Sequence, residues 1–177
     1  MIALHGGGGS GEAMVALTLG GFNVLSERED FVVVYPDGVE KHWNDGRGLQ
    51  DNRAMRENID DVGFIAALIK HLMQTLNIDQ RRVYATGISN GGHMSQRLAC
   101  ELSHKIAAIG VVAALMTEKL SSGCKPARPI SALLMFGTED PLVPWEGGDI
   151  KFAGRKRGKV LSLSDTVGYW VAHNNCS

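Results

Sequence analysis

The sequence predicts an α/β fold, with a mostly parallel sheet of about five strands and helices on both faces. Two observations support this fold class. Short β-branched runs such as "FVVVY" are continuously apolar, which is typical of parallel strands covered on both faces. Longer amphipathic segments separate these runs, and a repeated order of strand, helix and strand implies right-handed crossovers.

The elements are predicted in chain order from these two patterns. Strands are expected at residues 1–4, 31–35, 82–86, 105–114 and 130–136. Helices are expected at residues 12–27, 59–76, 90–102 and 162–174. Segment 59–76 is the clearest, because apolar residues recur every three or four positions and two aspartates favour the helix dipole in its first turn. We expect residues 1–177 to form one domain.

Charge and cysteine usage narrow the function classes. The net charge of −1 gives no reason to expect nucleic acid, and no apolar run reaches the roughly 18 residues that span a bilayer, so no membrane partner is expected. The three cysteines, Cys100, Cys124 and Cys176, form no CxxC pair and show no metal-ligand spacing. The sequence as a whole implies no metal or organic cofactor. A Cys100–Cys124 disulfide is compatible with the sequence but not fixed by it. One basic cluster is interpreted as a solvated loop: Lys151, Arg155, Lys156, Arg157 and Lys159.

A candidate nucleophile follows the predicted strand "RVYAT". There the sequence reads Gly87-Ile88-Ser89-Asn90-Gly91, a G-x-S-x-G pattern between a strand and a helix. Glycines permit a tight turn that projects the serine hydroxyl above the helix N-terminus. The position therefore predicts a nucleophilic Ser89, with the backbone N–H of Asn90 available to an oxyanion, whereas the same pattern elsewhere would indicate only a glycine-rich turn.

A glycine run follows the first predicted strand as "HGGGGS". It lacks the lysine of a phosphate-binding loop and the spacing of a dinucleotide fingerprint. Its unobstructed backbone N–H groups suit the negative oxygen of a tetrahedral intermediate, with Gly7 and Gly8 as candidate donors. His5 is expected to pack beneath this loop.

An acidic loop, "GTEDPLVPW", follows the strand "LLMF". Asp140 comes after Ser89 in the chain, as the acid does in the order serine, acid, histidine, and it lies where it could orient an imidazole. We favour Asp140 over Glu139 because the following proline fixes the turn that holds the carboxylate.

Several blocks in one order carry a family resemblance: "LHGGGGS", "FVVVYPDG", "HWNDG", "IDDVGFIAALI", "RVYATGISNGGHMS", "GTEDPLVPWEGG" and "DTVGYWVAHNNC". They resemble the polyhydroxybutyrate depolymerase and feruloyl esterase group of α/β-hydrolases, in carbohydrate esterase family one. The resemblance implies a serine ester hydrolase with Ser89 as nucleophile, Asp140 as triad acid, and Gly7 with Asn90 in the oxyanion hole. It also makes Trp43 and Trp145 candidate aromatic walls for the acyl or aryl group.

The resemblance further implies that both ends of a family member extend past this chain. Members carry strands before the "LHG" block, and a last strand and a loop with the triad histidine after "WVAHNNC". The family cysteine that matches Cys176 has its partner in that later segment. The resemblance suggests a secreted or periplasmic protein, although the chain has no signal-peptide pattern at its start.

The source of the base is open at this stage. His42 in the "HWNDG" loop and His173 near the last helix end are candidates. His93 lies one helical turn past Ser89, from where its ring would have difficulty reaching the serine. The third alternative is that no residue of this chain occupies the base position.

The sequence thus predicts a carboxylic ester hydrolase that acts on small acyl, hydroxyalkanoate or phenolic esters through an acyl-serine. The alternative is a silent or weakly active truncated hydrolase core that serves in binding or assembly. Unpaired outer strands also predict a homodimer or higher oligomer through sheet edges.

Overall fold

The computed structural model describes residues 1–176 and contains a four-stranded parallel sheet and a separate hairpin. The sheet strands, in spatial order, are β1 (Ile2–Leu4), β2 (Tyr84–Ile88), β3 (Ala108–Val112) and β4 (Ser131–Met135). The antiparallel hairpin consists of β5 (Gly148–Phe152) and β6 (Arg155–Val160). The helices are α1 (Gly11–Leu17), α2 (Gly21–Arg28), α3 (Arg53–Arg56), α4 (Asp61–Thr75), α5 (Asn90–Glu101), α6 (Glu118–Ser121) and α7 (Leu163–His173), with a 3₁₀ turn at Val39–Lys41.

Side-chain caps explain where several helices begin. The Asp60 carboxylate accepts a hydrogen bond from the Gly63 N–H at 2.8 Å and starts α4. The Ser162 hydroxyl accepts from the Asp165 N–H at 3.0 Å and starts α7. Each cap satisfies a backbone donor that the helix itself leaves without a partner. The observed starts therefore agree with the predicted segments 59–76 and 162–174 to within two residues.

One face of the sheet carries the main hydrophobic core. Ile2, Ala85 and Ile109 lie in one row across β1, β2 and β3, and all three are buried. Against them pack buried side chains of α4, α5 and α7: Ile65, Ile69, Met94, Leu98 and Trp170. This packing fixes α5 over the middle of the sheet, which matters because α5 begins immediately after Ser89.

The other face of the sheet is covered only in part. It is closed at β1, where Ala3 is fully buried and α1 contacts the strand. It is open at β4, where Leu133 and Met135 keep 60% and 47% of their surface exposed. The α/β fold class is confirmed, but helices cover this second face at one end of the sheet only.

Segment 31–35 differs from its prediction as a regular strand. Residues 32–34 run beside β1, with hydrogen bonds such as Ala3 N–H to the Val34 carbonyl at 2.9 Å. They form a single parallel bridge between Ile2 and Val34. The regular sheet therefore has four strands rather than five, because only this short stretch lies at pairing distance from the three-residue β1.

Two further segments also differ from their predicted structures. The predicted helix 12–27 is divided into α1 and α2, because Leu19 and Gly20 adopt left-handed conformations with φ of 51° and 67°. The basic cluster near residue 155, predicted to be a loop, lies on the hairpin of β5 and β6, where Lys156 pairs with Asp149 at 2.6 Å.

The structure contains the disulfide that the sequence allowed but did not establish. Cys100 at the end of α5 is bonded to Cys124, and Cys176 is an exposed thiol. Among residues 1–176, none of the helices combines the length and apolar character that crossing a membrane requires.

Candidate active site

Ser89 occupies a strained turn between β2 and α5. Its backbone has φ 53° and ψ −116°, a conformation that non-glycine residues adopt rarely and at a cost of about 1–3 kcal/mol. Ser89 is exposed, and its hydroxyl makes no hydrogen bond to the first turn of α5 although it stands at the N-cap position. The strain therefore presents the side chain at the carboxyl edge of the sheet, above the positive end of α5.

The glycines on either side of Ser89 are required by close backbone contacts. A Cβ on Gly87 would lie 2.3 Å from the Gly91 carbonyl oxygen, and a Cβ on Gly91 would lie 2.3 Å from the Leu4 carbonyl oxygen. Neither backbone group can move away as the end of a flexible side chain could. The turn thus depends on α5 approaching both β1 and β2 more closely than any side chain allows.

The glycine loop after β1 lies beside this turn. A Cβ on Gly6 would lie 3.7 Å from the Ser89 Cβ, and a Cβ on Gly7 would lie 3.6 Å from the Asn90 Cβ. The structure thus brings the predicted Gly7 and Asn90 together with Ser89. Gly8 differs from its prediction, because its N–H already donates to the Lys41 carbonyl at 2.9 Å and is not available to an oxyanion.

The Asn90 side chain is held by a buried loop that contains Trp43. Its Oδ1 accepts from the Trp43 N–H at 2.8 Å, and its Nδ2 donates to the Trp43 carbonyl at 3.0 Å and to the Asp45 carboxylate at 2.6 Å. Trp43 is fully buried and donates through its indole N–H to the His5 carbonyl at 3.0 Å. The prediction of Trp43 as a substrate wall is therefore wrong, because it supports the glycine loop from below.

A buried ion pair lies next to Asn90. Asp45 is fully buried and bonds the Arg47 guanidinium at 2.7 Å. Burial by itself would raise the pKa of Asp45, but the charge and hydrogen bonds of Arg47 hold it below its usual range. Burial, with a further contribution from Arg47, lowers the pKa of His93 to about 3, so this imidazole is neutral.

Asp140 lies in the loop after β4, at the same edge of the sheet as Ser89. Ile88, Val112 and Met135 share one row across β2, β3 and β4, so both loops leave the sheet at one level. Asp140 Oδ1 accepts from the backbone N–H groups of Leu142 and Val143 at 2.8 and 2.9 Å.

The second carboxylate oxygen of Asp140 remains available. Within residues 1–176, Oδ2 accepts no hydrogen bond, so it could receive an imidazole N–H. Glu139 is more exposed than Asp140.

Trp145 stands at the same edge, as a partly exposed ring. Its centroid lies 6.1 Å from that of Phe136, which directly follows β4. Two aromatic rings beside the acidic loop could contact an apolar or aryl group.

No imidazole reaches the Ser89 hydroxyl within the described part of the chain. His5 and His93 are buried and bond the carbonyls of Gly6 and Leu115. His42 is nearer to the site: its Cδ2 and Nε2 would lie 3.3 and 3.4 Å from a Cβ on Gly7. Its Nδ1–H donates to the Glu40 carbonyl at 2.8 Å, so Nε2 is the unprotonated nitrogen of the neutral ring.

His173 lies at the opposite edge of the sheet. Its Nε2 is 3.4 Å from the Arg128 carbonyl, and the neighbouring Asn174 bonds Ile130, which precedes β4. Five strand residues, about 16 Å, separate that end of β4 from the Ser89 edge. This placement excludes His173 as the base for Ser89 of the same chain.

Within residues 1–176, no three histidine, cysteine, aspartate or glutamate side chains lie close enough together to hold a metal ion. The site combines one exposed serine, a glycine loop beside it, and a carboxylate in the loop after β4, which lies two strands away from β2 in the sheet. Such a set can stabilise an oxyanion, and it needs a base to activate the serine.

A serine on a strained turn from strand to helix, next to a donor loop from the adjacent parallel strand, is the nucleophile elbow of α/β-hydrolases. The fold and this turn together define that class. The chain belongs to the phospholipase/carboxylesterase family, whose model matches residues 1–151.

Related proteins agree with the class. Feruloyl esterase B of Piromyces equi is 31% identical over 152 residues, which are 82% of this chain and 27% of that protein. Feruloyl esterase C of Emericella nidulans is 33% identical over 146 residues, which are 82% of this chain and 43% of that protein. The chain therefore spans less than half the length of these two relatives.

Two solved structures share the fold. Esterase PE8 superposes with a TM-score of 0.54 at 23% identity, over 81% of this chain and 70% of that one. An acetyl xylan esterase from Aspergillus awamori superposes with a TM-score of 0.51 at 18% identity, over 71% of this chain and 45% of that one. At these identities the likeness concerns the fold alone.

Sequence reasoning missed the network of Asp45, Arg47 and Asn90. The signal was present in "HWNDG", a block with three polar residues in five that is followed by an arginine. Nothing in that block shows that its side chains are buried, because burial depends on how the loop lies against α5.

Proposed function

We propose that this protein is a carboxylic ester hydrolase that forms an acyl-enzyme on Ser89. The observation that carries the proposal is the exposed, strained Ser89 with Gly6 and Gly7 beside it. The names of the relatives, which are feruloyl esterases, favour ester substrates.

In the proposed reaction, Ser89 Oγ attacks the ester carbonyl carbon and its proton passes to a base. The carbonyl oxygen becomes negative and receives hydrogen bonds from the N–H groups of Gly7 and Asn90. Collapse of this intermediate breaks the bond to the alcohol, which leaves with the proton. A water molecule then releases the acid by the same two steps. Asp140 is assigned to orient the imidazole through its available oxygen.

The base is the one role that no described side chain fills at hydrogen-bond distance from Ser89. A triad without its base loses several orders of magnitude in turnover but keeps roughly 10³–10⁴-fold acceleration over water from the oxyanion hole and binding. We therefore expect residues 1–177 alone to acylate from activated esters and to turn over slowly.

Phenolic and short acyl esters are the proposed substrates, with hydroxyalkanoate esters as a further class. Trp145 and Phe136 support an aryl acyl group, because two neighbouring rings offer apolar surface to a planar ligand. Replacement of Trp145 by alanine should raise KM for a feruloyl ester more than KM for an acetyl ester. Equal changes for both esters would remove Trp145 from the acyl site.

Labelling with a fluorophosphonate tests the nucleophile. Intact-mass measurement should show one adduct, mapped by peptide analysis to Ser89 and lost in Ser89→Ala. Ser122→Ala, at an exposed serine on the end of α6, is the control and should label as wild type does. Added imidazole should accelerate labelling of wild type but not of Ser89→Ala, because it supplies a base from solution.

Two histidine variants test the alternatives for the base. His173→Ala should label at the wild-type rate. His42→Ala should label less than about tenfold more slowly, since general-base loss costs about 10²–10⁴-fold and the His42 ring bonds the Glu40 carbonyl and not the Ser89 hydroxyl. A fall in His42→Ala to the level of Ser89→Ala would identify His42 as the base.

The second candidate function is a silent core, which the absence of an imidazole at Ser89 within residues 1–176 favours. A folded protein that never labels, with or without imidazole, would support the silent core. A homodimer or higher oligomer is part of either proposal, because β4 is an outer strand with exposed Leu133 and Met135. Light scattering at micromolar concentration tests it, and a monodisperse monomer would contradict it.

A further inference from the structure

Beneath the nucleophile turn, a buried ion pair is bonded to the residue that follows Ser89. We propose that Asp45 and Arg47 are positioning residues that fix Asn90, and through it the backbone donor of the oxyanion site. This inference rests on the proposed function, since it assigns a role within the same site.

The contacts of Asp45 carry the proposal. Its Oδ2 accepts from Asn90 Nδ2 at 2.6 Å and from Arg47 Nη2 at 2.7 Å. Its Oδ1 accepts from the Arg47 backbone N–H at 3.1 Å. Asp45 has no exposed surface, so water cannot replace any of these donors.

Asn90 links this ion pair to the reacting edge. Its side chain is tied to Trp43 at both ends and to Asp45, while its backbone N–H is the first of α5 and has no carbonyl partner within a helix that begins there. A side chain held by three hydrogen bonds leaves its own peptide little freedom to rotate. The direction of the Asn90 N–H is thus set by groups that never touch the substrate.

Arg47 has two functions in this arrangement. Its charge keeps Asp45 ionised inside the protein, where an unpaired carboxylate would be costly. Its Nη1 also donates to the Arg157 carbonyl at 3.1 Å, and its stem lies against Gly158, where a Cβ would be 3.2 Å from Arg47 Cδ. The β5–β6 hairpin is thereby connected to the oxyanion turn.

A matched pair of double variants separates positioning from folding. Asp45→Ala alone would leave the Arg47 guanidinium buried without a counter-charge and could unfold the protein. Asp45→Asn/Arg47→Met and Asp45→Ala/Arg47→Met both remove the two charges. The two double variants differ in one respect that matters, because only the asparagine keeps an oxygen that can accept from Asn90 Nδ2.

The readout is the affinity for phenylboronic acid. The Ser89 oxygen adds to boron and releases its proton to the buffer, and the resulting tetrahedral anion places an oxygen at the Gly7 and Asn90 N–H groups. We expect the asparagine double variant to bind within about threefold of wild type, and the alanine double variant about tenfold more weakly, which is about the contribution of one hydrogen bond from the Asn90 N–H to the charged oxygen. The ¹⁵N shift of the Asn90 amide on binding should be reduced only in the alanine double variant.

Control variants distinguish failure of the positioning role from failure of the proposed function. Asp61→Asn alters another buried aspartate of this region, which bonds the Asn44 N–H and not Asn90, and it should keep the wild-type affinity. Equal affinities in the two double variants, or an equal loss in Asp61→Asn, would overturn the positioning role and leave the proposed function standing. A wild-type protein that binds no more boronate than Ser89→Ala would overturn the proposed function and this inference with it.

Discussion

Ser89 stands on a turn enclosed by β1, β2 and α5, whereas Asp140 stands on a turn whose preceding residues Gly137, Thr138 and Glu139 are all exposed. Around Ser89, glycine positions have carbonyl oxygens at distances that no side chain tolerates. Around Asp140, the hydrogen bonds come from backbone groups two and three residues away.

This difference shows how two parts of one site can depend on different portions of the fold. The nucleophile side is formed by the interior of the sheet and by the buried loop of Trp43 and Asp45. The acid side is a local turn after the outer strand β4. We therefore expect changes on the nucleophile side to cost more stability than equivalent changes on the acid side.

The largest difference in stability is expected when one methyl group is added to a glycine on the nucleophile side and, for comparison, to a glycine on the acid side. Gly87→Ala places a Cβ 2.3 Å from the Gly91 oxygen and should cost about 3 kcal/mol, at the upper end of the usual cost of overpacking. Gly137→Ala meets no atom within 4 Å and should change stability by less than about 0.5 kcal/mol. Urea unfolding measures both, and equal losses would remove the contrast between the two sides.

The next largest effect is the pH dependence of stability that we expect from His93, which is buried on the nucleophile side. Its folded pKa of about 3 lies below the unfolded value of 6.5, so the unfolded chain binds a proton that the folded protein excludes. Stability should therefore fall as pH decreases through 6.5, by about 2 kcal/mol between pH 7 and pH 5.

His93→Gln should remove most of this pH dependence in urea titrations at each pH. Burial also lowers the pKa of His5, which accounts for a smaller remaining slope of the same sign. His71→Gln, at an exposed position on α4, is the control and should leave the dependence unchanged. A slope equal to wild type in His93→Gln would contradict the assignment.

A smaller loss of stability is expected when Asp140 itself is replaced. Asp140→Ala removes the acceptor for two backbone N–H groups and should cost about 1 kcal/mol. Asp140→Asn keeps an oxygen at that position and should cost less. If the alanine variant were as destabilised as Gly87→Ala, the acid turn would be as dependent on its surroundings as the nucleophile turn.

The smallest effect is expected on the hairpin next to the acid turn. Asp149 and Lys156 are bonded at 2.6 Å, but the lysine is 72% exposed, and exposed ion pairs contribute little. Asp149→Asn should therefore leave the urea midpoint unchanged within error. A clear shift would show that the hairpin is held by charge rather than by its buried Ile150 and Val160.

The sequence was sufficient where the physical signal is local or periodic. Continuous apolar runs located β1 to β4, and apolar periodicity with two aspartates near its start located α4 to within two residues. The G-x-S-x-G pattern predicted a turn at Ser89 because glycines are the residues that tolerate such contacts, and the turn is strained as expected. The roles of Ser89, Asp140, Gly7 and Asn90 in catalysis remain predictions.

The sequence was insufficient where a residue's function depends on what lies against it. From the sequence, a tryptophan at position 43 fits a substrate wall and a core residue equally well. Only its full burial in the structure distinguishes these two roles. Gly8 differs from Gly7 because Lys41 comes close enough to accept its N–H. His173 was a candidate base until the direction of α7 placed it beside Arg128.

Chain order and residue type by themselves determined the α/β class, the segments that form β1 to β4 and the turn that carries Ser89, since apolar periodicity and glycine tolerance act over a few neighbouring residues; they also predicted a fifth strand at 31–35 that the structure reduces to a single bridge. The tertiary structure alone decided which loop lies beside the serine, which aspartate is buried with Arg47, and which imidazoles are too far away. Those outcomes depend on contacts between residues distant in the chain, such as Trp43 with Asn90, and no local pattern encodes the distance between them.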